Sequence, residues 1–109
     1  MSEPWKRRGI LLSETDERDA LSRPQKKLVE EKTVFCRQLD VGQGEFYQAA
    51  AQGYKVELQL EVRKSVMMPR ITHVKYNGKP YRILRVRGAK SSENVVLVCI
   101  DKHNEASDG

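Results

Sequence analysis

The groups from which most active sites and metal sites are assembled are scarce in this sequence. Its 109 residues include two histidines, His73 and His103, and two cysteines, Cys36 and Cys99. Nucleophilic catalysis needs a nucleophile, a base and a group that orients the base. His103 falls in a polar C-terminal stretch expected to be disordered, where nothing would hold it in geometry. His73 falls mid-strand beside Thr72 and reads as a surface or hairpin residue. No cysteine or histidine pair has the close spacing of zinc ligands. Cys36 and Cys99 each lie inside an apolar run and are too far apart in sequence for a disulfide framework, so both read as buried free thiols. The sequence therefore predicts no catalytic residues, no metal and no cofactor. Long apolar runs are missing too: nothing approaches the ~20 residues of a membrane span. Basic residues near Met1 have no apolar segment behind them, which argues against a signal peptide and for a cytoplasmic protein.

Charge is plentiful and uneven. Residues 1–32 carry a net +1, residues 33–100 a net +6 and residues 101–109 a net −2, giving +5 for the chain. The basic excess sits in the part that reads as folded, and a basic domain suits a polyanion or an acidic protein surface. The length fits one domain, residues 1–109, divided into an N-terminal strand and charged arm (1–32), a β-rich core (33–100) and a flexible tail (101–109).

Periodicity supplies the elements. Gly9 to Ser13 is a short apolar strand. Glu14 to Lys32 is mostly charged, contains Pro24 and reads as a long loop with a helical turn near Gln25–Glu31. Thr33 to Leu39 is β-branched and aromatic, a strand. After Val41-Gly42-Gln43-Gly44, the run Glu45-Phe46-Tyr47-Gln48-Ala49-Ala50-Ala51-Gln52 predicts a short helix with Phe46 and Ala50 on one face. Gly53 stands where a left-handed C-cap belongs, just before Tyr54.

Lys55 to Val62 alternates strictly, placing Val56, Leu58, Leu60 and Val62 toward a core and Glu57, Gln59 and Glu61 toward water. Asn77-Gly78 predicts a tight hairpin between Ile71–Tyr76 and Pro80–Arg87. The unbroken apolar run Asn94–Ile100 predicts a last strand covered on both faces, by core on one side and a neighbouring subunit on the other. The fold class expected is mainly β: a small antiparallel β-barrel of five to six strands with one short α-helix, a long N-terminal charged arm and a disordered C-terminal tail. Its expected core is Val34, Phe35, Val56, Leu58, Leu60, Val62, Val74, Ile83, Leu97 and Cys99.

The hairpin carries Lys75, Lys79, Arg82, Arg85 and Arg87. Simple alternation groups Tyr81, Ile83, Arg85 and Arg87 on one face and Arg82, Leu84 and Val86 on the other. Sheets that bind nucleic acid combine such cations with exposed aromatics. Tyr76 and Tyr81 are the nearby ones, so a small basic nucleic-acid-binding module is one reading of this hairpin.

The segment from Thr33 to Cys99 also resembles a family of bacteriophage head-closure proteins, the head–tail adaptors or connectors. Gly42-Gln43-Gly44-Glu45-Phe46-Tyr47-Gln48-Ala49 is similar to the family's Glu-Phe/Tyr-Tyr-x-Ala helix start. Gln52-Gly53-Tyr54-Lys55 then runs straight into the alternating strand. Val74-Lys75-Tyr76-Asn77-Gly78-Lys79-Pro80-Tyr81-Arg82-Ile83 is similar to its x-Tyr-x-Gly-x-x-Tyr-x-Ile hairpin. The first third departs from the pattern, with the charged stretch Glu14–Lys32 and Trp5 in place of a short strand pair and turn.

The resemblance implies a virion structural protein, of a phage or prophage, that occupies the neck at the head–tail interface after assembly in the host cytoplasm. Its partners would be itself in a ring (about twelve copies when assembled, monomeric when free), a portal-adaptor protein, a tail-completion or tail protein, and packaged DNA in the channel, with no membrane. The same resemblance assigns Val41, Gly42, Gln43, Gly44, Glu45, Phe46, Tyr47, Gln48, Gly53 and Tyr54 to a channel or gate segment. It leaves Lys75, Lys79, Arg82, Arg85 and Arg87 for contact with DNA or a partner.

Overall fold

A computed structural model describes residues 7–18 and 20–101. Trp5, His103 and the tail from residue 102 onward lie outside the described residues. Six strands and one helix follow in the order β1 (Arg7–Arg18), β2 (Pro24–Leu39), α1 (Gln43–Ala51), β3 (Val56–Arg63), β4 (Ile71–Tyr76), β5 (Lys79–Gly88) and β6 (Asn94–Asp101). All pairings are antiparallel, and the sheet closes on itself in the order β1-β2-β3-β6-β5-β4 and back to β1. The interior holds Leu11, Val34, Cys36, Leu58, Leu60, Val62, Ile71, Val74, Tyr76, Leu97 and Cys99. Tyr81 and Ile83 pack against it half-buried. Closure is what lets six strands of six to sixteen residues share one core.

The charged stretch is not a loop, and no helical turn forms in it. Pro24 to Leu39 is one continuous strand, and Arg18 pairs with Pro24, Asp16 with Lys26 and Glu14 with Leu28. Strand β1 likewise extends past Ser13 to Arg18. The reason lies in pairing: an acidic run on one strand and a pair of lysines on the other can neutralise each other across a ladder, which composition alone does not reveal. Lys26 reaches Glu14 at 3.7 Å and Asp16 at 3.9 Å, and Lys27 reaches Glu17 at 3.9 Å. The first strand thus belongs to the core through Leu11, and the core does not begin at Thr33.

Two local signals behave as their chemistry requires. Asn77 and Gly78 have φ of 52° and 77°, the left-handed pair of a type I′ turn that matches strand twist. Gly53 has φ of 86°, and its N–H donates to the Ala50 carbonyl at 3.0 Å while the Tyr54 N–H donates to that of Ala49 at 2.9 Å. That is a Schellman closure, which glycine adopts without steric strain.

One expected core residue, Phe35, is not buried, and Val56 is buried in a second cluster instead of the main one, each for a geometric reason. Phe35 lies between the inward Val34 and Cys36, so alternation turns it outward. It is 56% exposed, with the Arg8 guanidinium 5.5 Å from its ring centroid. In β3 a bulge between Val56 and Leu58 reverses the parity, and Val56 joins Ala49 and Val98 in a second cluster outside the closed sheet. On the helix, the buried residue is Ala49, while Phe46 and Ala50 are exposed.

Candidate functional site

The helix and the basic hairpin, read as separate candidates in the sequence, form one structure. A bulge between Ile83 and Arg85 in β5 makes Ile83 pair with Cys99 and Arg85 with Val98. Paired residues share a face, so Tyr81 and Ile83 point inward while Arg85 and Arg87 point outward with Val98 and Val96. The grouping of all four on one face is therefore wrong, and the bulge is the cause. Arg85 Nη2 donates to Glu45 Oε1 in the first turn of α1, and Arg87 Nε stands 3.9 Å from Glu45 Oε2. This clasp draws α1 across the outer face of β3, β6 and β5. There Ala49 packs with Val56 and Val98, joined by Val41, Tyr54 and Leu84.

The covering of β6 is thus intrachain: Val98 is shielded by the chain's own helix. Beside the clasp lies a second polar group that alternation had placed in water. Gln59 and Glu61 are both buried, Glu61 being 4% exposed. Arg37 Nη2 donates to Glu61 Oε1, and Asn94 Nδ2 donates to Glu61 Oε2 at 2.8 Å. Burial favours protonating Glu61, but these two donors and the nearby Arg87 outweigh it and hold the carboxyl below its ordinary range. Gln59 accepts from Arg87 Nη2 at 2.8 Å and donates to the Asp40 carbonyl at 2.9 Å.

Arg37, Leu39, Glu61, Arg87, Ala89, Lys90 and Val96 frame a cavity of about 240 Å³ there. Sequence reading missed this cluster, although the apolar run Val95–Ile100 within β6 implied a covered outer face.

The cations of the hairpin are largely spoken for. Lys75 lies 3.8 Å from Glu30, Lys79 lies 2.9 Å from Asp101, and Arg85 and Arg87 meet Glu45. The hydrogen bond to the Asp101 carboxylate holds the Lys79 pKa above its ordinary value. Arg82 is exposed, opposite His73 in the ladder. His73 is buried, at 2% exposure, with its Nδ1 2.7 Å from Thr72 Oγ1, and so is not a surface residue. In the gate segment Phe46 and Tyr47 project outward in edge-to-face contact at 5.8 Å, Tyr47 being 66% exposed. Gly42, Gln43, Gly44, Gln48 and Gly53 are exposed as well.

Both cysteines are free and buried. Among the described residues no group of three or more His, Cys, Asp or Glu side chains could hold a metal ion, and no helix is long and apolar enough to cross a membrane.

A further opening lies where β2 parts from β3. The two strands pair only over Arg37–Leu39 with Glu61–Gln59. Below that fork Lys32, Thr33, Val34, Phe35, Arg63 and Val66 line a cleft of about 440 Å³. In comparison with known proteins, no family matches this sequence, and neither does any curated protein.

Proposed function

We propose that the chain is a structural subunit of a bacteriophage or prophage neck. In this reading a small β-barrel assembles as a ring beneath a portal–adaptor complex, closes the DNA-filled head and offers the tail its docking surface. The observation that carries the proposal is the ribbon. The closed sheet completes its core within one chain, yet β1 and β2 run on past it as two strands over Glu14–Arg18 and Pro24–Leu28. Sixteen residues of β2 at about 3.3 Å each span roughly the 54 Å long axis of a molecule only 31 and 23 Å across. A two-stranded ribbon is marginal in water on its own, so one of this length gains its stability in an assembly.

The resemblance over Thr33–Cys99 supplies the kind of assembly, and the exposed Phe46 and Tyr47 on the clasped helix supply a surface for neighbours or channel. In this reading Val41–Tyr54 lies toward the channel. Localisation then follows from assembly, at the virion neck.

The experiment is electron microscopy of the protein added to tailless, DNA-filled capsids. Ring density at the portal vertex is expected, and capsids that stay bare would overturn the proposal. A free nucleic-acid-binding module is the weaker reading, because Lys75, Lys79, Arg85 and Arg87 already face carboxylates. Such a module would bind free DNA with a steep salt dependence. A neck subunit with these pairings should bind it feebly.

A further inference from the structure

The ribbon has two open edges, and they differ in charge. On the β4 side, β1 is paired only from Gly9 to Ser13, so Glu14–Arg18 has no partner strand there among the described residues. On the β3 side, β2 is paired only over Arg37–Leu39, which leaves Pro24–Phe35 without one. The outer part of β1 reads Glu14-Thr15-Asp16-Glu17-Arg18, predominantly acidic, and the facing part of β2 carries Lys26 and Lys27. Open edges are templates for pairing, and natural proteins usually keep them short.

We propose that neighbouring copies of this chain join edge to edge, the outer β1 of one ribbon pairing with the outer β2 of the next. The inference rests on the ring reading above and specifies how the ring is held. Three observations on the ribbon support it. Copies related by rotation and placed side by side present β1 to β2 in antiparallel sense, which continues the pairing within each ribbon. The charges then match as they do inside one chain, where Lys26 meets Glu14 and Asp16 and Lys27 meets Glu17. Finally, the open edges lie on opposite sides of the ribbon, so pairing one leaves the other available. Such a head-to-tail contact does not stop at a dimer, and it ends only when rotation closes a ring. Backbone hydrogen bonds supply adhesion in this mode, and charge order supplies the register.

Two measurements on the full chain test the proposal. In the first, amide hydrogen exchange is compared between dilute protein and protein assembled on filled capsids. Exchange over Glu14–Arg18 and Gln25–Phe35 should slow together by about tenfold or more on assembly. Rings that form while both segments exchange as in dilute protein would overturn the edge pairing and leave the neck reading standing. If no ring forms on filled capsids, the neck reading falls and the edge pairing falls with it.

The second measurement uses a charge-swapped chain carrying Glu14→Lys, Asp16→Lys, Glu17→Lys, Lys26→Glu and Lys27→Glu. Complementarity within its own ribbon is kept, so it should form rings with itself and be excluded from rings of the natural chain. Free mixing of the two in one ring would overturn the proposal.

Discussion

Glu61 sits under the outer face of β3 with a guanidinium on one oxygen and an amide on the other. A carboxylate in such a place is stabilising only while both donors remain, since removing one member of a buried pair leaves the other uncompensated. Glu61→Ala should therefore destabilise the fold by about 3 kcal/mol, read from denaturant midpoints. The pH dependence has a definite sign. The folded pKa lies below the ordinary 4.5, so this contribution is fully present above that value and disappears as pH falls through the lower folded one. Glu61→Gln cannot titrate, and its deficit against the natural protein at pH 7 should shrink on acidification toward pH 3. A deficit constant across that range would show that the charge contributes nothing.

The thiols make a second prediction at this scale. Burial raises the Cys99 pKa strongly, and the neighbouring Cys36 adds to the shift, so almost no thiolate exists near neutrality. Neither cysteine should react with a thiol-exchange reagent at pH 8 until the protein is unfolded, when both should react.

At the scale of elements, what pins α1 is the Glu45 clasp more than its own sequence, because a nine-residue helix is marginal in isolation. Glu45→Ala removes a half-buried charged hydrogen bond, worth about 1.5–3 kcal/mol. Amides of Gln43–Ala51 should then exchange faster while the interior ladder of β3 and β6 keeps its protection. Equal loosening of both would mean that helix and sheet open as one unit. Leu60→Ala, at the centre of the closed sheet, acts oppositely: about 2–5 kcal/mol should be lost globally as a cavity opens.

Legibility in the sequence divides at these same elements. The six strands, the helix, the Asn77-Gly78 turn and the Gly53 cap all follow from period and turn chemistry that are local. What was not legible were the bulges near Glu57 and Leu84, because one extra residue changes nothing in composition yet reverses every side chain beyond it. That reversal moved Val56 from the interior of the closed sheet to the cluster with Ala49 and Val98, and turned Arg85 and Arg87 toward Glu45. The hydrogen-bonded burial of Gln59 and Glu61 depends on what lies above them, which a strand's own alternation cannot report. The ribbon was missed for a related reason: its ion pairs are cross-strand, and their benefit exists only once the register is known.

Over the whole molecule, the net charge of +5 is arranged so that Lys75, Lys79, Arg85 and Arg87 of the basic hairpin stand against carboxylates of the same chain. This bears on the gate proposed for Val41–Tyr54. Glu45 is the one charge in that segment, and Arg85 and Arg87 neutralise it, so its face toward a channel would carry neither sign strongly. DNA passing such a face would be neither held nor repelled by it. The glycines decide whether the segment moves.

Gly42 has φ of −73°, within proline's range, and open space lies where a Cβ would stand at Gly42 and Gly44. Neither position requires glycine for the conformation seen, so the residues there are dispensable for the docked helix. Gly44→Ala should stabilise the helix by about 0.5–1 kcal/mol, and Gly42→Pro should stiffen its approach without displacing it. If the segment swings on these residues during genome release, particles built with both variants should assemble, retain DNA and eject it more slowly than natural ones. Ejection at the natural rate would assign α1 to a single duty, sealing Val56 and Val98 on the outside of the closed sheet.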